Sequence, residues 1–292
     1  MPKVPLFVDA DPSLATLGLD VDDDLALLFL LGSPEVELLG VTTVFGNSLG
    51  ALTHLSALRT LSHAGHGDLP VVRGADSPRD AAGARRAGEA LAASLRAHPG
   101  ATVLALGPLT NIAAAAADPE FGARLGALAV MGGRARSGLS DFNVRKDPAA
   151  ASRALALSCP RTLVTFDLGF AVAITPADAD AVGADRASAV ARHRGPLRRF
   201  ARAQGAYRAL RGRVPGEAPG GFHPWDVLAA AAVTSPGLFG FANARLAFDG
   251  RGRTLLDPAS GGAAVSMAVS VEAERFRALF FSRVAAPRAT AG

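Results

Sequence analysis

Two segments near the start of the chain decide the fold, VPLFVDAD at residues 4–11 and VDDDLALLFLL at residues 21–31. The first segment is a short apolar run that ends in two aspartates, and it predicts a strand over Val4–Ala10. The second opens with acids, which favour the first turn of a helix, and predicts a helix over Asp23–Leu31. A further apolar run, Val36–Val44, predicts the next strand. This strand–helix–strand order is typical of a parallel sheet.

The same alternation continues through the next 120 or so residues, where near-continuous apolar runs indicate parallel strands covered on both faces. Strands are predicted at Leu69–Val72, Thr102–Leu106, Ala127–Met131 and Arg161–Phe166, and helices at Leu49–Ala64, Arg79–Ala97, Leu109–Ala116 and Pro148–Leu157. The last third is predicted to be more helical, at Pro176–Ala184, Ala187–Leu210, His223–Ala232 and Val271–Val284, with a strand pair near Ala244–Phe248 and Ala263–Val269.

The pattern therefore predicts an α/β fold, a mostly parallel doubly wound sheet flanked by helices. No repeat and no linker-like stretch divides the chain, so we expect a single domain over residues 1–285. Residues 286–292 are expected to form a disordered tail. In such a fold ligands bind outside the carboxyl ends of the strands.

Composition excludes several classes of protein. With 49% hydrophobic and 19% charged residues the chain is not intrinsically disordered, and its apolar runs fall short of the roughly 20 residues of a membrane-spanning helix. The chain enters its first strand without a signal peptide and has one cysteine, Cys159, so we expect a cytoplasmic protein. Arginines cluster at Arg192–Arg213, but few aromatics lie among them; a solvated helix face is favoured over a nucleic-acid surface.

The acids around the first strand carry the strongest chemical signal. Asp9 and Asp11 flank one residue at the strand end, so their side chains point the same way. Together with Asp20 and the run at residues 22–24 they place six acids within sixteen residues. Oxygen ligands of this density suit a hard divalent cation, Ca²⁺ or Mg²⁺. Helix capping is the alternative, and it explains one or two of these acids but not Asp9 and Asp11.

Five groups of motifs then follow one another in an order that identifies a family. They are DADP at 9–12 with GLDVDD at 18–23, VFGN at 44–47, LGPLTNIA at 106–113, MGG at 131–133 with DFN at 141–143 and DP at 147–148, and WDVLA at 225–229. This succession resembles the signatures of the inosine–uridine preferring nucleoside hydrolase family. The resemblance covers the chain from residue 4 to about residue 232.

The resemblance implies Ca²⁺-dependent hydrolysis of the N-glycosidic bond of ribonucleosides, giving free base and ribose. It implies that the ion is bound by Asp11, Asp23, Asp226 and the backbone carbonyl of Thr110, with Asp11 also acting as general base. The substrate contacts that it implies are Asp22, Asn47, Met131, Asp141 and Asn143. Tyr207, on the segment before the Gly- and Pro-rich stretch at 212–221, is a further candidate for lining the base pocket, and a partly buried helix position is the alternative for it. Relatives of this type are usually homodimers or homotetramers, so we expect a homo-oligomer.

Two residues near the last motif are candidates for assisting departure of the base. Trp225 stands where many members have His, as in the purine-preferring branch, and it indicates a purine bias through stacking on the base. His223 could instead be the general acid, although a helix-capping or surface role is the alternative for this residue.

The sequence departs from the family pattern at several places. Five extra residues, Ser13–Leu17, expand the first loop, and Asp24 replaces a small residue, where we expect it on the solvent side of the helix. Asp141 replaces Glu, Ser56 replaces Asn, and the His-Gly lid loop is missing after residues 74–78. These departures leave two alternatives open, a ribose- or nucleoside-binding homologue with little turnover and an N-ribosyl hydrolase for an unusual nucleoside of specialised metabolism.

Overall fold

The computed structural model of the chain describes residues 3–13, 21–175, 223–259 and 261–284. Nine strands occur in this part of the chain, and the first six alternate with helices. The strands are β1 (Val4–Ala10), β2 (Val36–Thr43), β3 (Val71–Arg73), β4 (Thr102–Ala105), β5 (Ala127–Met131), β6 (Arg161–Val164), β7 (Phe239–Phe248), β8 (Thr254–Leu256) and β9 (Ala263–Val271).

The helices of the described residues are numbered here in chain order. They are α1 (Asp22–Leu31), α2 (Gly50–His63), α3 (Ala81–Ala97), α4 (Thr110–Ala115), α5 (Phe121–Arg124), α6 (Phe142–Lys146), α7 (Pro148–Leu155), α8 (Phe166–Gly169), α9 (Trp225–Thr234) and α10 (Ala273–Val284). No helix in these ranges is long and apolar enough to cross a membrane.

All strands belong to one sheet with the order β3-β2-β1-β4-β5-β6-β9-β7-β8. From β3 to β9 neighbouring strands are parallel, whereas β7 pairs antiparallel with both β9 and β8. The chain builds the sheet outward from β1 first in one direction and then, from β4, in the other. Such a reversal opens a crevice at the carboxyl ends of β1 and β4, where doubly wound sheets bind ligands.

Apolar side chains cover both faces of the sheet. Leu6 and Val8 of β1 point to the face that is packed by α1, α9 and α10, and Phe7 points to the face that is packed by α3, α4 and α7. The apolar residues of α1 are almost all buried, because this helix lies between the sheet, α9 and α10. Its continuous apolar run, rather than an amphipathic one, is the sequence signal for that position.

The predicted α/β fold and doubly wound sheet are confirmed. Each predicted strand and each predicted helix within the described ranges is present, with ends that differ by a few residues. The short strand β8 was not predicted; it forms a hairpin with β7 at the antiparallel end of the sheet. The predicted helices at Pro176–Ala184 and Ala187–Leu210, the expanded loop from residue 14 onward and the tail at 286–292 lie outside the described residues. The division into one domain and a tail stays a prediction.

Candidate active site

Asp11 lies at the centre of the crevice, directly after β1 and between two glycines. A Cβ atom on Gly46 would lie 2.0 Å from Asp11 Oδ2, and one on Gly107 would lie 2.4 Å from Asp11 Oδ1. Both distances are far below van der Waals contact, so the motifs that follow β2 and β4 need glycine at these positions to admit the carboxylate. The side chain of Asp11 is buried, with 1% of its surface exposed.

Asn47, in the turn after β2, joins Asp11 to the start of α1. Its backbone N–H donates to Asp11 Oδ2 at 2.6 Å, and its side-chain amide donates to Asp23 Oδ2 at 3.0 Å. Asp23 Oδ1 accepts the backbone N–H of Asp11 at 2.9 Å. The predicted ligands Asp11 and Asp23 and the predicted ribose contact Asn47 are thus brought together in one network.

The N-termini of α1 and α9 meet beside this network. Asp22, in the first turn of α1, accepts the backbone N–H of Asp226 at 2.9 Å, across 204 residues of sequence. Asp226 lies in the first turn of α9 and is buried. Two helix N-termini therefore lie beside the acids, and helix N-termini stabilise carboxylates.

Thr110 begins α4, after β4. Its hydroxyl donates to Asp147 Oδ2 at 2.8 Å, while Asp147 Oδ1 accepts the N–H of Ala150 and caps α7. The sequence predicted the capping role of Asp147 from Pro148 at the first helical position, and that role is confirmed. The bond to Thr110 was not predicted, because no local signal connects residues 37 positions apart.

Asn143 and Asp141 lie after β5, on the other side of the crevice from Asn47. The amide of Asn143 donates to the carbonyl oxygens of Leu106 at 2.6 Å and of Met131 at 3.2 Å, and it lies 3.4 Å from the sulfur of Met131. Asp141 caps α6 with Oδ1 and accepts the N–H of Gly133 at 2.7 Å with Oδ2. Burial raises the pKa of the Asp141 carboxyl, and these backbone donors oppose the shift.

Trp225 and His223 form part of an aromatic cluster at the start of α9. The indole ring is stacked on Phe166, with ring centroids 4.8 Å apart, and its Nε1 donates to the carbonyl of Phe166 at 2.9 Å. His223 is buried, and its Nδ1 lies 2.5 Å from the carbonyl of Val172, to which only a protonated nitrogen can donate. The Phe166 partner was not predicted, although its place directly after β6 marks the same edge of the sheet.

Two further acids are buried within this part of the fold but have different partners. Asp9 Oδ1 accepts the hydroxyl of Thr42 at 2.5 Å and the amide of Asn111 at 2.8 Å. Its Oδ2 is buried without a partner among the described residues. Burial raises the pKa of Asp9 to about 7, a shift that the two hydrogen bonds only reduce.

Asp24 is buried, so its predicted position on the solvent side of the helix is wrong. Its carboxylate accepts the hydroxyls of Ser56 at 3.1 Å and Thr60 at 2.5 Å, and the backbone N–H of Ser13 at 3.1 Å. Ser56 and Thr60 lie on the buried side of α2, which packs against α1. The two departures from the family pattern, Asp24 and Ser56, are therefore hydrogen-bonded to each other.

The donor chemistry of the site fits a hard cation, since Asp11 after β1 is hydrogen-bonded to Asp23 of α1, and Asp22 of α1 to Asp226 of α9, so that carboxylates gather at one crevice. Gly46 and Gly107 keep both oxygens of Asp11 free of side-chain crowding. Within the described ranges, however, no three acidic, histidine or cysteine side chains converge as metal ligands. In this arrangement Asp23 uses both oxygens for hydrogen bonds to Asp11 and Asn47.

The geometry and the motif order agree with a comparison against known families. The sequence model of the inosine-uridine preferring nucleoside hydrolases matches residues 6–278. The chain belongs to this family. A plant nucleoside hydrolase of known structure is 25% identical, with a TM-score of 0.85, and the match covers 98% of this chain and 100% of that one.

Two curated relatives are similar over part of their length. "Probable uridine nucleosidase 2" of Arabidopsis thaliana is 29% identical over 215 residues, which are 62% of this chain and 65% of the relative. The pyrimidine-specific ribonucleoside hydrolase RihA of Klebsiella pneumoniae is 30% identical over 206 residues, which are 60% of this chain and 64% of the relative. The chain thus spans slightly less than two thirds of each of these relatives.

The sequence predicts that the His-Gly lid loop is absent after residues 74–78, and the structure has a short connection there. Residues 74–80 lead directly from β3 to α3, whose N-cap is Asp80. Tyr207, the predicted contact to the base, lies outside the described residues. The roles predicted for the other site residues are consistent with their place at the carboxyl edge but stay predictions.

Proposed function

We propose that this chain hydrolyses the N-glycosidic bond of ribonucleosides, releasing a free base and ribose, with Ca²⁺ as cofactor. The observation that carries the proposal is the network in which Asn47 joins Asp11 and Asp23 at the switch point of the sheet. Membership of the nucleoside hydrolase family supports the same reaction.

The ion would be held by Asp11, Asp23, Asp226 and the carbonyl oxygen of Thr110. A bound divalent cation lowers the pKa of a coordinated water and orients sugar hydroxyls. Carboxylates with a backbone carbonyl and sugar hydroxyls offer the larger and looser ligand set that Ca²⁺ accepts more readily than Mg²⁺. Asp11 and Asp23 would exchange part of their present hydrogen bonds for this role.

The side chains around the crevice have separate tasks in the reaction. Asp11 accepts a proton from the attacking water as the oxygen of that water bonds to the anomeric carbon, and the base leaves with the electron pair of the glycosidic bond. Asp22, Asn47 and Asn143 bind ribose hydroxyls. The buried carboxylates stabilise the positive charge that develops on the sugar ring in the transition state.

The aromatic cluster is the proposed site of the leaving group. Phe166 is stacked on one face of Trp225 and the ring of His223 lies 5.3 Å from the indole; a purine stacked on the face opposite Phe166 would be stabilised by the indole in its protonated form. His223 is buried and hydrogen-bonded to the backbone, which favours Trp225 over His223 in this step. Asp141, which already caps α6, would bind the 5′ side of the ribose through its remaining acceptor capacity.

A base-release screen tests the proposal. Purified protein is incubated with purine and pyrimidine ribonucleosides and with base-modified ribonucleosides, each with added Ca²⁺, with Mg²⁺ and with excess EDTA. We expect release of base with Ca²⁺, faster for purines, and its loss in EDTA. Ribose binding by calorimetry without base release from any nucleoside would contradict hydrolysis and favour the binding homologue. Release only from a modified nucleoside would favour the enzyme of specialised metabolism.

We further propose that the chain forms a homodimer or homotetramer and works in the cytoplasm. The single cysteine, Cys159, is free and supports a reducing compartment. Light scattering at micromolar concentration tests the assembly, and a monomeric mass would contradict it.

A further inference from the structure

A second cavity lies at the edge of the sheet opposite the crevice, with a volume of about 700 Å³. It is formed by the end of α7, the first residue of β6, the end of β7 and the start of β9. Because β6 and β9 run parallel to β1, their first residues lie at the opposite edge from the acids that follow β1 and β2. The volume is within the range of small-molecule sites.

The charge of this cleft is the reverse of the charge of the crevice. Arg161 and Arg245 line it, and none of its described lining residues is acidic. Within the described ranges, neither guanidinium has a carboxylate at ion-pair distance. Two uncompensated cations in one cavity create a positive potential that attracts anions.

Both guanidinium groups are held in place by backbone carbonyls. Arg161 donates through Nη1 to Ala264 at 2.8 Å and through Nη2 to Leu157 at 2.5 Å. Arg245 donates through Nε to Gly261 at 2.6 Å and through Nη2 to Gly262 at 2.9 Å. Each guanidinium has five N–H groups, so donors are left over for a ligand. A preformed, fixed arrangement of this kind reduces the entropy that a ligand must lose on binding.

One of the remaining donors is a buried orphan. Arg161 Nε is buried and has no hydrogen-bond partner among the described residues. Because this nitrogen is closed to solvent, a ligand in the cleft would be bound through the Nη groups of Arg161 instead. The rest of the wall is largely apolar, with Leu155, Leu246 and Phe248.

From these observations we propose that the cleft binds a small organic molecule that carries an oxyanion, a phosphate ester or a carboxylate. The oxyanion lies between Arg161 and Arg245, where guanidinium geometry matches oxyanions well. The organic part lies against Leu155 and Phe248. This site is separate from the nucleoside site, and the inference is independent of the proposed reaction.

The test uses phenyl phosphate as the phosphate-ester probe and phenylacetate, the anion of phenylacetic acid, as the carboxylate probe. Inorganic phosphate and phenol supply the two halves of the first probe. Binding is measured by calorimetry at constant ionic strength on the full chain with EDTA present, so that no divalent cation binds the phosphate probes. We expect one of the two anionic probes to bind at millimolar concentration or better, inorganic phosphate to bind more weakly and phenol not to bind. The stronger of the two anionic probes identifies the oxyanion.

A matched pair of substitutions at Ala156 locates the binding. Ala156 lines the cleft, is exposed at the end of α7 and makes none of the bracing hydrogen bonds. Ala156→Glu should weaken probe binding by roughly tenfold or more through the added negative charge. Ala156→Gln introduces an uncharged side chain of the same shape as Glu, and its Kd for the probe should stay within about threefold of the wild-type value.

Charge removal supplies the second arm of the test. Arg245→Gln should weaken binding by roughly tenfold, and Arg153→Gln, which removes an exposed charge on α7 outside the cleft, should leave it unchanged. Equal affinity in the wild type, Ala156→Glu and Arg245→Gln would place the probe elsewhere, at the crevice for instance, and overturn the proposal. Absence of binding by either anionic probe would overturn it as well.

Discussion

Two pairs of buried aspartates differ in their hydrogen-bond partners. Each member of one pair has a member of the other pair close by in the sequence: Asp9 is two residues from Asp11, and Asp24 is next to Asp23. Asp11 and Asp23 form the Asn47-bonded pair, held by amide N–H groups of a turn and of the backbone. Asp9 and Asp24 form the hydroxyl-bonded pair, held by Thr42 or by Ser56 and Thr60. All four side chains are at most 1% exposed, so burial does not distinguish the pairs.

The partners indicate different roles. The hydroxyls that hold Asp9 and Asp24 project from the buried sides of a strand and a helix, where they are fixed by packing. Asn47 belongs to a turn at the rim of the crevice, and it is partly exposed. Hydrogen bonds from such a turn are exchanged for a ligand at lower cost than bonds within the packed interior. We therefore assign chemistry to the Asn47-bonded pair and support of the fold to the hydroxyl-bonded pair.

The largest expected effect is on the turnover number, which should fall when an aspartate of the Asn47-bonded pair is changed but not when one of the hydroxyl-bonded pair is changed. Asp11→Asn should lower kcat for base release by roughly 10²–10⁴-fold, because the amide cannot accept the proton of the attacking water. Asp9→Asn has the same change of chemistry two residues away and should retain kcat within about tenfold. Steady-state kinetics with saturating Ca²⁺ checks both variants. A comparable loss in both would remove the distinction between the pairs.

The second effect is on the pH dependence of stability and concerns Asp9. Its folded-state pKa of about 7 lies above the ordinary value of 3.8, so the unfolded chain loses this proton first as pH rises. The stability that protonated Asp9 contributes is complete below the ordinary pKa and is lost as pH rises towards 7.

In metal-free protein this loss is on the order of 4 kcal/mol between the two pKa values. Asp9→Asn should remove this pH-dependent loss. The free energy of unfolding of the variant should therefore rise relative to that of the wild type between pH 4 and pH 7. Urea unfolding at a series of pH values measures the free energy of unfolding. Parallel curves for the two proteins would show that folding does not raise the pKa of Asp9.

The third effect concerns the ion. Binding to the folded state alone stabilises it by about 2.7 kcal/mol when the ion is at 100 times its Kd. We expect Ca²⁺ to raise Tm by several degrees after chelation, and to do so more than Mg²⁺. Asp226→Ala should abolish this gain, whereas Asp68→Ala, an exposed acid outside the site, should keep it. A melting curve of the wild type that ignores millimolar Ca²⁺ would refute the metal assignment.

The smallest effect sharpens the description of the hydroxyl-bonded pair. Thr60→Val is nearly isosteric but removes a hydroxyl that donates to the buried Asp24 carboxylate, at a cost of about 1.5–3 kcal/mol in unfolding free energy. Thr60→Ser keeps the hydroxyl and should recover most of that stability. If, in both variants, the loss of Ca²⁺ binding free energy exceeds the loss of unfolding free energy, Asp24 belongs with the Asn47-bonded pair.

Much of this site could be predicted because its parts follow strand ends. Asp11, Asn47, Thr110 and Asn143 each come shortly after an apolar run, and the carboxyl ends of parallel strands share one edge of a sheet. The solvent position of Asp24 was mispredicted for the complementary reason. A helical position shows its burial only through the elements that pack on it, and the partners Ser56 and Thr60 lie 32 and 36 residues further along the chain.

The sequence by itself therefore determined the α/β class, the strand–helix order, the family and the residues gathered at the carboxyl edge, since these depend on local periodicity and on motifs at strand ends. Tertiary structure alone decided which carboxylate oxygen faces which donor, the stacking of Trp225 on Phe166, and the placing of Arg161 and Arg245 along one cleft at the opposite edge. The residues concerned are far apart in the sequence: 36 positions separate Asn47 from Asp11, and 59 separate Trp225 from Phe166. Their geometry depends on how whole elements pack, and no local pattern encodes it.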